Sequence, residues 1–173
     1  MGVDRARSRK IVVDRSEGFG ERLLGSLLDR AREMPPQLIG LLVADEVARF
    51  GGRDACILLQ DYGQRLLRPL PGRNLMMGKP EQIEGSAAGE AFLRMTAVEE
   101  ERADGVRIYL PLVDGSDEVG VLAVTLSTVD DDDRRLLRRL ALLVADILVA
   151  KSSYTDQFLQ ARRSAPMSLS AEI

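Results

Sequence analysis

The stretch from Val106 to Leu126, VRIYLPLVDGSDEVGVLAVTL, constrains the fold more than any other part of the chain. Val106, Ile108, Leu110 and Leu112 recur at every second residue, with Arg107, Tyr109 and Pro111 between them. That alternation is a strand with two unlike faces. In the following segment Gly120, Leu122, Val124 and Leu126 alternate with Val119, Val121, Ala123 and Thr125, so both faces are apolar or small. Such a strand needs cover on both sides. Asp114-Gly115-Ser116-Asp117 between them has the residue types that tolerate positive φ and bond their own backbone, which predicts a hairpin. The rest of the chain has to supply two covering layers.

Composition narrows the function. The chain has 173 residues, a length that suits one domain with tails, and its net charge of −3 offers no global field for nucleic acid. Arg5, Arg7, Arg9, Lys10 and Arg15 make the N-terminus locally basic, but no aromatic residue accompanies them to stack on bases. No apolar run approaches the ~20 residues of a membrane span, and the first thirty residues lack the apolar core of a signal peptide. One cysteine, Cys56, excludes an internal disulfide. These features predict a cytoplasmic protein. The sequence has no histidine, which removes His-based triads, imidazole metal ligands and a His general base. No catalytic residue, metal site or cofactor is identified.

The remaining segments supply the layers. Residues 1–15 read as a mobile basic tail. Ser16 to Arg32 carries Leu23, Leu24, Leu27 and Leu28 on one helical stripe, and a second helix follows Met34-Pro35-Pro36 with Leu38, Ile39, Leu42, Val43, Val47 and Phe50. Ala55–Gln60 and Gln64–Leu70 read as strands, with Pro69 at an edge. Residues 71–85 form a long loop, Ser86 caps a helix to Met95, and Thr96–Glu101 reads as an exposed strand. Asp130 to Asp133 open a last helix, where carboxylates suit the positive dipole end and precede Arg134 and Arg135 by four residues. Along that helix Leu136, Leu140, Leu143, Ile147, Ala150 and Tyr154 are spaced 4, 3, 4, 3, 4, which is a coiled-coil seam. The predicted architecture is α+β: a central antiparallel sheet of five to six strands with helices on both faces and a long C-terminal exit helix. The domain spans 16–150, and 151–173 is exit helix and linker.

Several of these residues resemble the GAF family of sensory domains: the paired amphipathic helices leading to ACILLQ, the small-residue helix start EGSAAGEAF, the strand-turn-strand YLPLVDGSDEVGVLAV and the acidic start of the closing helix. A narrower resemblance, carried by REMPPQLIGLLVADEVARFGGRDACILLQDYGQ, VDDDDRRLLRRLALLVADILVAKSSYTD and ARRSAPMSLSAEI, is to the N-terminal regulatory part of actinobacterial sporulation-type, metal-dependent Ser/Thr phosphatases. That resemblance implies a non-catalytic sensor and dimerisation module preceding a phosphatase domain. The family's metal-binding aspartates lie beyond residue 173, so no phosphatase residue is carried over.

GAF domains often bind small molecules under the long loop and its helix, which here offers Arg68, Arg73, Met76, Met77, Arg94 and Tyr109 as candidate ligand residues. Arginine suits an anionic metabolite or nucleotide, and methionine an adaptable wall. Each also reads as a solvated cation or a core filler. Leu136, Leu140, Leu143, Ile147 and Tyr154 are the candidate dimer and signalling residues, in a homodimer that transmits its state along the exit helix. The alternative functions are a stand-alone receptor and a redox enzyme using Cys56. Against the latter, GAF proteins that reduce free methionine sulfoxide use several cysteines. Whether the Arg107–Tyr109 face of the hairpin looks toward the loop or the terminal helices decides whether those residues can line a site.

Overall fold

The computed structural model describes residues 17–70 and 79–152. Helix α1 (Glu17–Glu33) is followed by a 3-10 turn at Pro36–Leu38 and helix α2 (Ile39–Ala48). Strands β1 (Arg53–Gln60), β2 (Leu66–Pro69) and β3 (Glu81–Gln82) precede helix α3 (Ala87–Arg94). Strands β4 (Val98–Arg102), β5 (Gly105–Asp114) and β6 (Asp117–Leu126) lead to helix α4 (Asp131–Ser152). All six strands form one antiparallel sheet in the order β3-β2-β1-β6-β5-β4.

The predicted hairpin is the β5–β6 pair, tightened to the two-residue turn Gly115-Ser116 with Gly115 at φ +63. β6 is a central strand between β5 and β1, and from Val119 to Leu126 every residue is buried. Between Leu112 and Val113 the register shifts, because Leu112 pairs with Gly120 and Val113 with Glu118. Val119 is the extra residue, and it joins Leu122 and Val124 in the helix-side core rather than Val121 and Ala123 on the other face.

The sheet divides two unequal cores. Leu23 and Leu27 of α1, Ile39, Leu42 and Val43 of α2, and Leu137, Leu140 and Val144 of α4 pack on Ile57, Ile108, Leu110, Leu122 and Val124. On the opposite face α3 brings Ala88, Ala91 and Phe92 onto Cys56, Leu58, Leu67, Tyr109, Val121 and Ala123. Ser86 caps α3 by accepting from Gly89 N at 2.9 Å.

Several expectations need correction. β3 and its pairing with Leu66 and Leu67 lie inside the span read as loop. The strand end at Pro69 does lie at an edge, since β3 covers only Leu66 and Leu67 and the missing N–H is never asked to bond outward. β4 starts at Val98 rather than Thr96, because Met95 ends α3 in the left-handed region at φ 50 and the chain needs two residues to reach the sheet. Asp130 is the cap of α4 rather than part of its first turn: Asp130 N donates to Asp133 Oδ2 at 3.0 Å and Asp133 N to Asp130 Oδ1 at 2.8 Å. Arg134 and Arg135 pair with Asp131 and Asp132 three residues back rather than four.

The seam on α4 differs most. Leu140 is 0% and Ile147 5% exposed within the single chain, and Leu136 and Leu143 are half-buried against the same core. The 4,3,4 spacing is therefore met mainly inside the chain, by α1 and the sheet. Tyr154 lies outside the described residues, as do the basic tail and most of 151–173. No helix among the described residues is long and apolar enough to cross a membrane.

Candidate functional site

Alternation along β5 answers the question posed by the hairpin. Ile108 and Leu110 pack toward the helices, and Tyr109 packs beneath α3. Arg107, two residues before Tyr109, shares its face. Its Nη1 donates to Asp54 O at 2.6 Å and to Thr125 Oγ1 at 3.0 Å, and its Nη2 lies 3.5 Å from Cys56 Sγ. The guanidinium carbon is 5.8 Å from the centroid of the Tyr109 ring, within the range of a cation–π contact. Asp54 is at φ 50 where β1 slips register between Arg53 and Cys56, and that irregularity leaves its carbonyl free for Arg107. One arginine thereby ties β1, β5 and β6 together at one end of the smaller core.

A second cation comes from the edge. Arg102 Nη2 donates to Tyr109 Oη at 3.0 Å and to Glu100 Oε1 at 2.8 Å. The β4–β5 register sets Val98 opposite Tyr109 and Glu100 opposite Arg107, so Val98, Glu100 and Arg102 share the α3 face. Burial pushes the Tyr109 phenol above its ordinary value; Glu81 adds to the rise and Arg102 opposes it. Burial likewise pushes the Cys56 thiol up, against the opposing charge of Arg107. The cluster has two cations, Arg102 and Arg107, balanced by Glu81 and Glu100 around a buried hydroxyl.

What this arrangement offers chemically is hydrogen-bond donors and a held thiol. The thiol is protonated at neutral pH, and the polar group it touches is an arginine, which cannot act as a base. Among the described residues no group of three or more His, Cys, Asp or Glu is arranged to hold a metal ion. Two guanidiniums lie against Tyr109, Arg102 at its hydroxyl and Arg107 beside its ring, and guanidinium donors suit an oxyanion.

Of the predicted ligand set, the described members Arg68, Arg94 and Tyr109 are not brought together. Arg68 alternates with Leu67, which is in the α3-side core, so it faces the opposite way; it pairs with Asp61 Oδ2 at 3.7 Å. Arg94 is in the last turn of α3, its side chain 71% exposed and paired with Glu90 at 3.0 Å. Only Tyr109 lies in the cluster. Arg73, Met76 and Met77 lie outside the described residues. Arg102 stands outside the residues expected from the sequence, which left Arg107 to the orientation of its strand face. Parity with Tyr109 marks Arg107, and Arg102 becomes visible once Ala103-Asp104 is recognised as the turn of a hairpin.

No family model and no curated protein matches this chain. Its fold does have solved counterparts. The GAF domain of an Acinetobacter phosphoenolpyruvate-protein phosphotransferase superposes with a TM-score of 0.63 at 11% identity, over 77% of this chain and 94% of that one. A free methionine-R-sulfoxide reductase from Neisseria meningitidis, solved with its substrate, gives 0.65 at 14% identity over 79% and 92%. A fragment of a methyl-accepting chemotaxis protein, residues 122 to 287, gives 0.59 at 14% over 76% and 98%. The chain has the GAF fold.

Proposed function

We propose that the chain is a non-catalytic sensory and dimerisation module that controls an attached or partner Ser/Thr phosphatase. One observation carries the reading: β5 and β6 have a polar, donor-rich cluster on one face and the packing surface of α4 on the other. A ligand that shifts Arg107 or Tyr109 acts on the strands against which Leu137, Leu140 and Val144 rest, and α4 carries that change out of the domain. Counterparts of the same fold stand within a phosphotransferase and a chemotaxis protein, whereas the phosphatase partner rests on the sequence resemblance alone. Cytoplasmic location fits this role.

The alternative is a receptor for an anionic metabolite or nucleotide acting alone, favoured by the two guanidiniums of Arg102 and Arg107 on either side of Tyr109. Arg73, Met76 and Met77 are proposed to complete its wall. Thermal-shift screening of wild type and Arg107→Gln against nucleotides and acidic metabolites tests the ligand site common to both readings. A ligand at a hundred times its dissociation constant stabilises by about 2.7 kcal/mol, which raises the melting temperature by several degrees. That shift is expected in wild type and not in the variant; no shift from any compound overturns the ligand site. Phosphatase control predicts that the reading frame beyond residue 173, or a neighbouring one, encodes an Asp-rich metal-dependent phosphatase whose activity changes when this chain is removed. Unchanged activity overturns it.

A further inference from the structure

Strand β4 ends the sheet, and among the described residues only β5 pairs with it. An edge left open in this way is a template for one more strand. Both faces of β4 carry carboxylates. Glu99 and Glu101 alternate with Glu100, so they share the face toward α4, where Arg134 holds Glu99 at 2.6 Å. Arg102 holds Glu100 at 2.8 Å. Glu101 is exposed and has no ion-pair partner among the described residues. Beside this edge a groove of about 940 Å³ opens between β5 and α4, with Met95 49% and Leu142 61% exposed along it. Arg138 also lines it, an exposed cation that likewise has no partner among the described residues.

We infer that the open edge of β4 is covered by the chain's own N-terminal segment, residues 5–13, added as a further strand. The segment reads Arg5-Ala6-Arg7-Ser8-Arg9-Lys10-Ile11-Val12-Val13, with arginine at alternate positions and a β-branched end. Two-residue spacing puts Arg7 and Arg9 on one face of a strand, and Glu99 and Glu101 have the same spacing on β4. An antiparallel register with Arg9 opposite Glu99 sets Arg7 opposite Glu101, and opposite charges directly across a strand pair attract. The length of the segment allows this. Helix α1 runs beside α4 in the same direction: Glu21 accepts from Arg139 at 2.7 Å, and Leu28 and Ala31 lie by Ile147 and Ala150 further on. Glu17, the first residue of α1, is therefore level with Arg135, next to the Arg134 that holds Glu99. Only α4 lies between them, about 10–12 Å across with its side chains, and residues 10–16 span up to about 23 Å when extended. Crossing α4 carries Asp14 over Arg138, and the apolar residues 11–13 past Leu142 and the groove. Tethering decides the occupant. A segment fixed a few residues away is at roughly millimolar effective concentration, so a few exposed pairs hold it, whereas a separate peptide has to bind from solution through those same pairs. Docked, the segment straps β4 to the start of α1. The same strand presents Arg102 to Tyr109 at 3.0 Å, so the strap bears on the polar cluster.

Hydrogen–deuterium exchange by mass spectrometry on the 173-residue chain tests the docking, with circular dichroism confirming that each variant is folded. Each variant is compared with an unstructured peptide of its own N-terminal sequence. In wild type, residues 6–12 are expected to exchange about tenfold or more slowly than in that peptide. Glu101→Lys and Arg7→Glu should each remove most of this protection by juxtaposing like charges, and the double variant should recover it. Glu101 is exposed and Arg7 precedes the first helix, so neither change disturbs the core. Exchange at the peptide rate in wild type, single reversals without effect, or a folded double variant that is not restored each overturn the inference. Protection that rises with protein concentration across the micromolar range would assign the edge to the segment of a second copy, and overturns it too. Ligand-induced thermal shifts are read independently, so failure here leaves the sensory reading standing.

Discussion

At the scale of single residues, Glu46 shows how an unfavourable group is tolerated. It is fully buried between α1 and α2, where Oε1 takes the Arg30 guanidinium at 2.7 Å and Oε2 has only Arg49, at 3.6 Å. The two partners are not equivalent. Arg30 has a side chain 37% exposed and can turn to water if Glu46 is lost, whereas Glu46 cannot. Removing the arginine leaves a buried, weakly compensated carboxylate, while replacing the carboxylate by an apolar side chain removes the problem. Arg30→Ala is therefore expected to cost about 2 kcal/mol in urea denaturation, and Glu46→Leu to fall within about 1 kcal/mol of wild type. The reverse order would sink the argument. Tyr109 supplies a pH dependence. Because burial holds its proton on in the native state, stability is fully present below the ordinary value of a phenol and declines as pH rises through the raised native value. Tyr109→Phe should flatten that alkaline decline in the urea midpoint; a variant that declines as steeply as wild type would assign it elsewhere, with Cys56 the next candidate.

At the scale of elements, α3 depends on one close approach. A Cβ on Gly89 would meet Ile83 O at 1.7 Å and Ile83 C at 2.4 Å, so backbone meets backbone and nothing can turn aside. Gly25, exposed in the middle of α1, has nothing within 4 Å. Identical substitutions should then have opposite signs. Gly89→Ala is expected to destabilise by roughly 2–4 kcal/mol through overpacking. Gly25→Ala should stabilise by up to about 1 kcal/mol through helix propensity. Melting temperatures of the two variants decide it, and a neutral Gly89→Ala would mean that α3 can lift from β3 without cost. The elements most legible in the sequence were those whose period was long and whose ends carried chemical marks: the β5–β6 hairpin, α3 with its Ser86 cap, and α4. What resisted reading depends on register. β3 is two residues long and exists because it pairs with Leu66 and Leu67, and no alternation survives in so short a strand. The α4 seam is legible as a spacing, but spacing does not say what fills it; the sheet and α1 of the same chain fill most of it. Arg68 and Arg94 stand apart from Tyr109 for a similar reason. Arg68 and Arg94 were grouped by proximity to a loop, whereas sheet parity selects Arg102 and Arg107.

At the scale of the whole molecule, one sheet stabilises two cores of different size. Twenty-five buried residues form the helix-side core and ten the α3-side core, among those described. Both depend on β6, which is buried on each face, so its amides can exchange only when the larger core opens. The α3 side is different. It has one eight-residue helix, a two-residue strand and four small residues among its ten, Cys56, Ala88, Ala91 and Ala123, which bury little apolar area each. Opening it exposes Phe92 and Tyr109 while α1, α2 and α4 remain packed on the other face. Native-state hydrogen exchange should therefore be slowest from Val121 to Val124 and in the facing residues of β1, tracking global unfolding. Amides of α3 should exchange roughly a hundredfold faster or more, through an opening with a weaker urea dependence, since less surface is exposed. A site built on the less stable face can be remodelled by a ligand without dismantling the body that holds α4. If α3 and β6 exchange at the same rate with the same urea dependence, the two faces open as one unit, and a ligand could not reorganise one face while the other stays packed.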